Sequence, residues 1–274
     1  MNPISNKFNL PLPLLLAVQA DPYDNEGSDV TVTGLLKPVQ MWVLEKRHKD
    51  KIEIDVSERL WATYGQLMAL LLERVVKSSP ELAKRYAVEQ RCSVQVHGWK
   101  VSGAFDLYDR KTMTLSDWKF VGAFAAKMAK AGKKNDWEKQ LNILRWLYEG
   151  SHGPCADRLE IVCILRDFSE KVEREDGLLP AETIEMPCNG LETTEMWVED
   201  RVLTFQTALL LPDDQLPPCS DEDRWYRNGS YKRCERYCPV RSVCRQHNPT
   251  LAPGSPKPSS VRQPCESNRA KGAD

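Results

Sequence analysis

Residues Ser102 to Phe120 read SGAFDLYDRKTMTLSDWKF. A short apolar run carries Asp106, a polar turn follows from Tyr108 to Thr112, and a second apolar run carries Asp117 and Lys119. Side chains on a strand alternate between faces, so Asp117 and Lys119 share a face and Trp118 takes the other. A short turn centred near Arg110 or Lys111 fits an antiparallel hairpin. That register sets Asp106 across from the Leu115–Asp117 region, where cross-strand neighbours lie roughly 5 Å apart. Two carboxylates at that distance repel unless a positive group sits between them. A divalent cation fits, because Mg²⁺ and Mn²⁺ take hard oxygen ligands. A solvated hairpin with surface ion pairs is the alternative for an isolated D-x-K.

Around this hairpin the pattern predicts an α/β domain with a mixed sheet flanked by helices. Val88–Val96 and Trp99–Leu107 read as strands joined at His97-Gly98, and Met113–Phe120 as a third. Ser57 to Val76 is predicted helical, capped by Ser57, with Leu60, Tyr64, Leu67, Leu71 and Val75 at helical spacing. A short helix runs through Leu82 and Tyr86. Asp136 to Tyr148 is amphipathic, with Trp137, Leu141, Leu144 and Leu147 on one face. Leu159 to Leu165 is consistent with a buried central strand, and Leu191 to Leu211 with a second long helix ended by Pro212. Residues 1–30 are expected to form an irregular arm and residues 249–274, rich in Pro, Ser, Lys and Arg, a disordered tail.

The 274 residues carry 28% charged and 41% hydrophobic side chains and a net charge of -1. That is ordinary for a globular protein, and a nucleic-acid partner would have to be held by a local patch. The prolines within Leu10–Leu16 argue against a signal peptide, no run is long enough to span a membrane, and the expectation is a cytoplasmic protein. No G-x-S-x-G, Walker A or dinucleotide fingerprint is present, so acyl transfer and nucleotide hydrolysis lack support.

Nine cysteines are unevenly spread. Cys92, Cys163 and Cys188 are expected to be small core residues. Cys219, Cys234, Cys238 and Cys244 crowd within residues 213–248, the last three at C-x3-C-x5-C spacing. Clustered thiolates favour Zn²⁺ or an iron–sulfur centre. The same segment carries Arg224, Trp225, Tyr226, Arg227, Tyr231, Lys232, Arg233, Arg236, Tyr237, Arg241 and Arg245. Cations beside stacking rings suit single-stranded nucleic acid, and a plain solvated helix end is the alternative. Lys127, Lys130, Lys133 and Lys134 form a second basic patch just after the D-x-K strand.

Gly103-Ala104-Phe105-Asp106, then Asp117-Trp118-Lys119, then a helix bearing Gln140 resembles the PD-(D/E)xK nuclease superfamily. Within it the order is similar to the RecB-like exonucleases of phages and of CRISPR adaptation, whose helix carries Q-x-x-x-Y. Leu144 stands at the Tyr position. The resemblance spans roughly Thr31 to Arg245. It implies a restriction-endonuclease-like core over residues 31–212, an N-terminal helical segment and a small Cys-rich appendage. It implies metal-dependent DNA hydrolysis, of single strands or duplex ends, in phage or bacterial recombination or repair, with recombination or replication proteins as partners. Asp106 and Asp117, with the Trp118 carbonyl, would bind Mg²⁺ or Mn²⁺, Lys119 would be catalytic, and Gln140 would position groups. The family's G-x-x-x-H-x-x-x-E pattern falls on Gly65 to Glu73, with Ala69 in the histidine place. Glu73 or Glu89 would supply an oxygen instead. One branch carries a [4Fe–4S] cluster on a similar C-terminal trio, with Cys219 here the substitute for its fourth ligand and Zn²⁺ the alternative metal. A DNA-binding or assembly protein that has lost catalysis is the second function implied.

Overall fold

The computed structural model describes residues 4–19, 25–153 and 156–249. The strands are β1 (Ile4–Ser5), β2 (Val30–Thr31), β3 (Ile54–Asp55), β4 (Tyr86–Val96), β5 (Trp99–Asp109), β6 (Thr114–Val121), β7 (Arg158–Leu165), β8 (Ala181–Met186), β9 (Tyr226–Arg227) and β10 (Ser230–Tyr231). The α-helices are α1 (Leu12–Gln19), α2 (Val32–Leu35), α3 (Val39–Arg47), α4 (Val56–Lys77), α5 (Pro80–Arg85), α6 (Ala123–Lys130), α7 (Asn135–His152), α8 (Glu170–Asp176) and α9 (Leu191–Leu210).

The mixed sheet is built outward from the predicted hairpin. β4 lies antiparallel along the length of β5, β6 runs antiparallel to the end of β5, β7 is parallel to β6, and β8 closes antiparallel on β7. β2 is parallel to the first residues of β5. β7 is the buried central strand expected, with Leu159, Ile161 and Cys163 fully enclosed. α7 lies across β4, β5, β6 and β7 and packs on α9. Its buried face carries Trp137, Leu141, Leu144 and Leu147, as the periodicity predicts.

One close approach explains a glycine. A methyl group at Gly103 would fall 2.6 Å from Leu144 Cδ2 and 2.6 Å from Val32 Cγ2. The absent side chain lets α2 and α7 lie on β5. Gly103→Ala should therefore cost about 1–3 kcal/mol by overpacking, read as a lower urea midpoint with an unchanged slope.

Several expectations need correction. The arm is not irregular throughout: β1 pairs with β3, and Asp55 accepts hydrogen bonds from Ser5 Oγ and the Lys7 N–H. Asp55, not Ser57, caps α4, accepting from the Ser57 N–H at 3.1 Å, because a carboxylate one residue outside the helix reaches the free first-turn donors. Tyr86 begins β4 rather than ending α5. The apolar series Tyr64, Leu67, Leu71 and Val75 on α4 faces solvent, since periodicity shows that a face exists but not what covers it. Cys188 is exposed, whereas Cys92 and Cys163 are core residues as expected. Apart from Pro249, the predicted tail lies outside the described residues. No helix among the described residues is long and apolar enough to cross a membrane.

Candidate active site and cysteine cavity

The β5–β6 ladder ends at Leu107↔Ser116, although both strands continue. Extending that register sets Asp106 opposite Asp117, where the strands part. The Trp118 N–H, released from β5, donates to Asp106 Oδ2 at 2.6 Å. Asp117 is buried, at 3% exposure. Its Oδ1 accepts from Gln140 Nε2 at 2.9 Å, and its Oδ2 lies 2.6 Å from Lys119 Nζ. Lys119 Nζ also donates to Gln140 Oε1 at 3.0 Å. Asp117, Lys119 and Gln140 thus close a triangle between β6 and α7. The hairpin spacing brought the two aspartates and the lysine together, and the α7 face brought the glutamine.

Charge in this opening is strongly unbalanced. Burial and the facing Asp117 push the Asp106 carboxyl up to about 8, against the pull of the Trp118 N–H. Glu89 on β4 takes a positive φ of 47° and drops out of the ladder at the position opposite Asp106. Burial first, then Glu73 and Asp117, raise the Glu89 carboxyl. Glu89 therefore stands on the same acidic opening as the two aspartates, and Glu73, paired to Lys77, lies on the far side of Glu89 within its electrostatic reach. Ala69 lies one turn before Glu73 on α4, on the same face of that helix.

A divalent cation suits these residues. Asp117 Oδ2 is fully buried and has the Lys119 ammonium at 2.6 Å, without hydrogen-bond geometry, as its compensating group, and the facing Asp106 carboxyl has no cation of its own in hydrogen-bond reach among the described residues. As the side chains stand, no three His, Cys, Asp or Glu among the described residues are gathered closely enough to enclose an ion. Mg²⁺ asks less, since it binds through one or two carboxylates and keeps several waters.

Cys219, Cys234, Cys238 and Cys244 line one enclosed cavity of 20 Å³ together with Gln40, Met41, Arg224 and Arg233. Gln40 Oε1 on α3 lies 3.6 Å from Cys219 Sγ and 3.7 Å from Cys244 Sγ. The Gln246 side chain pins Cys219 through both its N–H and its carbonyl. Burial, Asp223 and the three other thiols push Cys219 up to about 12. The four sulfurs predicted from spacing thus share one environment. A cavity of this size holds about one water-sized object, and no three of the thiols are gathered closely enough to enclose an ion, so a single Zn²⁺ requires them to draw in around it and a four-iron cluster requires more space than the cavity offers. Gln40 was not legible in the sequence, because a lone glutamine on a helix carries no spacing signal.

The two basic patches differ. Lys127 pairs with Asp176, Lys130 with Glu182 and Lys134 with Asp136, so the patch after β6 is largely neutralised. The C-terminal patch instead pairs its cations with rings. Its Asn228-Gly229 turn, with φ of 50° and 76°, closes the β9–β10 hairpin, as the left-handed preference of that residue pair allows.

No family model matches the chain, and no curated protein matches it. A solved structure, "Crystal structure of SSO0001", is similar to it with a TM-score of 0.51 and 18% identity, covering 84% of this chain and 93% of that one. At that identity the likeness is one of fold.

Proposed function

We propose that the chain is a metal-dependent deoxyribonuclease with a restriction-endonuclease-like core, acting as an exonuclease. The observation that carries this reading is the convergence of Asp106, Asp117, Lys119 and Gln140 where β5 and β6 part. Two facing buried carboxyls are costly in a fold, and a divalent cation between them would offset that cost, which supports a metal site here. Asp106 and Asp117 hold Mg²⁺ or Mn²⁺, with Glu89, across from Asp106 on β4, a further carboxylate. The bound ion supplies Lewis-acid polarisation and an activated water. Lys119 faces the charge that grows on a phosphate oxygen, and Gln140 keeps both Asp117 and Lys119 oriented. The cysteine cavity binds a second metal, as an iron–sulfur cluster or as Zn²⁺, and ties residues 213–248 to α3.

A second reading is an assembly or DNA-binding protein that has lost catalysis. Ala69 favours it, because the residue nearest Glu73 on that face offers no ligand. Single- and double-stranded DNA incubated with Mg²⁺ or Mn²⁺, against EDTA, separates the two. Release of nucleotides from DNA ends is the expected result, and inert protein with either metal overturns the nuclease reading. Ala69→His adds an imidazole one turn from Glu73 and should keep or raise the metal-dependent rate. Loss of that rate in a folded variant places Ala69 away from the centre.

A further inference from the structure

Four large aromatic side chains lie open on and beside the cysteine segment: Phe124 at 59%, Trp225 at 48%, Tyr226 at 54% and Tyr237 at 64% exposure. Exposure this high in a group of rings is a binding feature rather than a core defect. The rings are arranged, not scattered. Trp225 and Tyr237 stand 5.5 Å apart, and the Arg233 guanidinium lies 5.1 Å from the Trp225 ring. Tyr226 and Tyr231 are cross-strand partners at 5.1 Å, with Arg224 3.3 Å from the Tyr231 ring. Arg227 reaches Phe124 on α6 at 5.3 Å and so ties the hairpin to the main domain.

Two further facts select a ligand. Among the described residues, Arg227, Lys232 and Arg236 form no ion pair with a carboxylate. They contrast with Lys127 and Lys130, which are neutralised. Phe124 follows Lys119 by five residues, so its backbone lies at most about 18 Å from that of the candidate catalytic lysine. Exposed rings interleaved with cations that hold no carboxylate within ion-pair distance take up unstacked bases and their phosphates together. A duplex hides its base faces, and a protein partner has no reason to require cations at every ring.

We infer that Phe124, Trp225, Tyr226 and Tyr237, with Arg227 and Arg233, form a stacking platform for single-stranded DNA beside the catalytic opening. This deepens the nuclease reading by assigning the form of DNA that is held, and it rests on that reading only for the fate of the strand.

The test measures binding without cleavage, by anisotropy of a labelled oligo-dT with the full chain as purified and no added Mg²⁺ or Mn²⁺. Base-stacking side chains are worth about 5- to 150-fold each in affinity. Trp225→Ala, Tyr237→Ala and Phe124→Ala should each weaken oligo-dT binding within that range, and Trp225→Phe should restore it. Arg227→Gln should flatten the salt dependence by about 0.7 in log–log slope. Met196→Ala, which removes an exposed apolar side chain on α9, should change nothing. Wild-type affinity in all three alanine variants overturns the platform, as does an equal loss for duplex and single strand. Tighter binding to oligo-U overturns the assignment to DNA. A chain that fails to cleave yet shows the ring-dependent binding keeps the platform and loses the nuclease, so the two failures are distinguishable.

Discussion

Asp117→Asn is expected to reduce DNA hydrolysis by about 10²–10³-fold or more while leaving the melting temperature unchanged or higher. The substitution keeps an oxygen to accept from Gln140 Nε2 and removes the charge that opposes Asp106. If the opening were only a structural ion-pair network, loss of the charge facing Lys119 would instead leave a cation without its carboxylate and lower stability. Two measurements therefore decide the matter together: the cleavage rate with Mn²⁺, and the melting temperature with and without the metal. Divalent metal should raise the wild-type melting temperature and have little effect on the variant, because an ion that binds only the folded site stabilises by mass action. Lys119→Met should give a comparable loss of rate while metal-induced stabilisation remains. Wild-type rates in either variant would remove the centre from β5 and β6.

Cys238→Ser should abolish metal loading of the cysteine cavity and expose the turn at Arg233–Tyr237 to trypsin. Cys238 lines the cavity from the end of that single π-helical turn, and its thiol is raised by burial first, then by Cys234 and Cys244. Binding a metal there must displace those protons, so its binding free energy becomes folding free energy for the segment. Not all of the segment should loosen. Val240 and Cys244 are buried against the core, and Gln246 holds Cys219 without any metal. Cleavage should thus concentrate at Arg227, Lys232, Arg233 and Arg236, with the rest of the chain resistant. The exposed Cys188, mutated to serine, should leave metal content unchanged. Iron with acid-labile sulfide in anaerobic wild-type protein supports the cluster, and zinc alone makes the site a structural knot. Neither metal in fresh protein sinks the cage.

Local rules were enough to read the hairpin of Trp99–Leu107 with Met113–Phe120, the approach of Asp106 to the Leu115–Asp117 region, the buried face of α7 and the central strand β7. Each depends on side-chain period or turn chemistry, which act over a few residues. The four clustered cysteines were legible for the same reason. Tertiary structure alone decided the rest. It brought Glu89 on β4 to the aspartates and Glu73 on α4 to Glu89, set Gln40 over the thiols, and joined Arg227 to Phe124 across the chain. It left the apolar series of α4 uncovered and neutralised the lysines after β6 with Asp176 and Glu182. A charge or an apolar stripe in a sequence states what a residue can bind. Which partner it meets depends on contacts between residues far apart in the chain, and no periodicity records those.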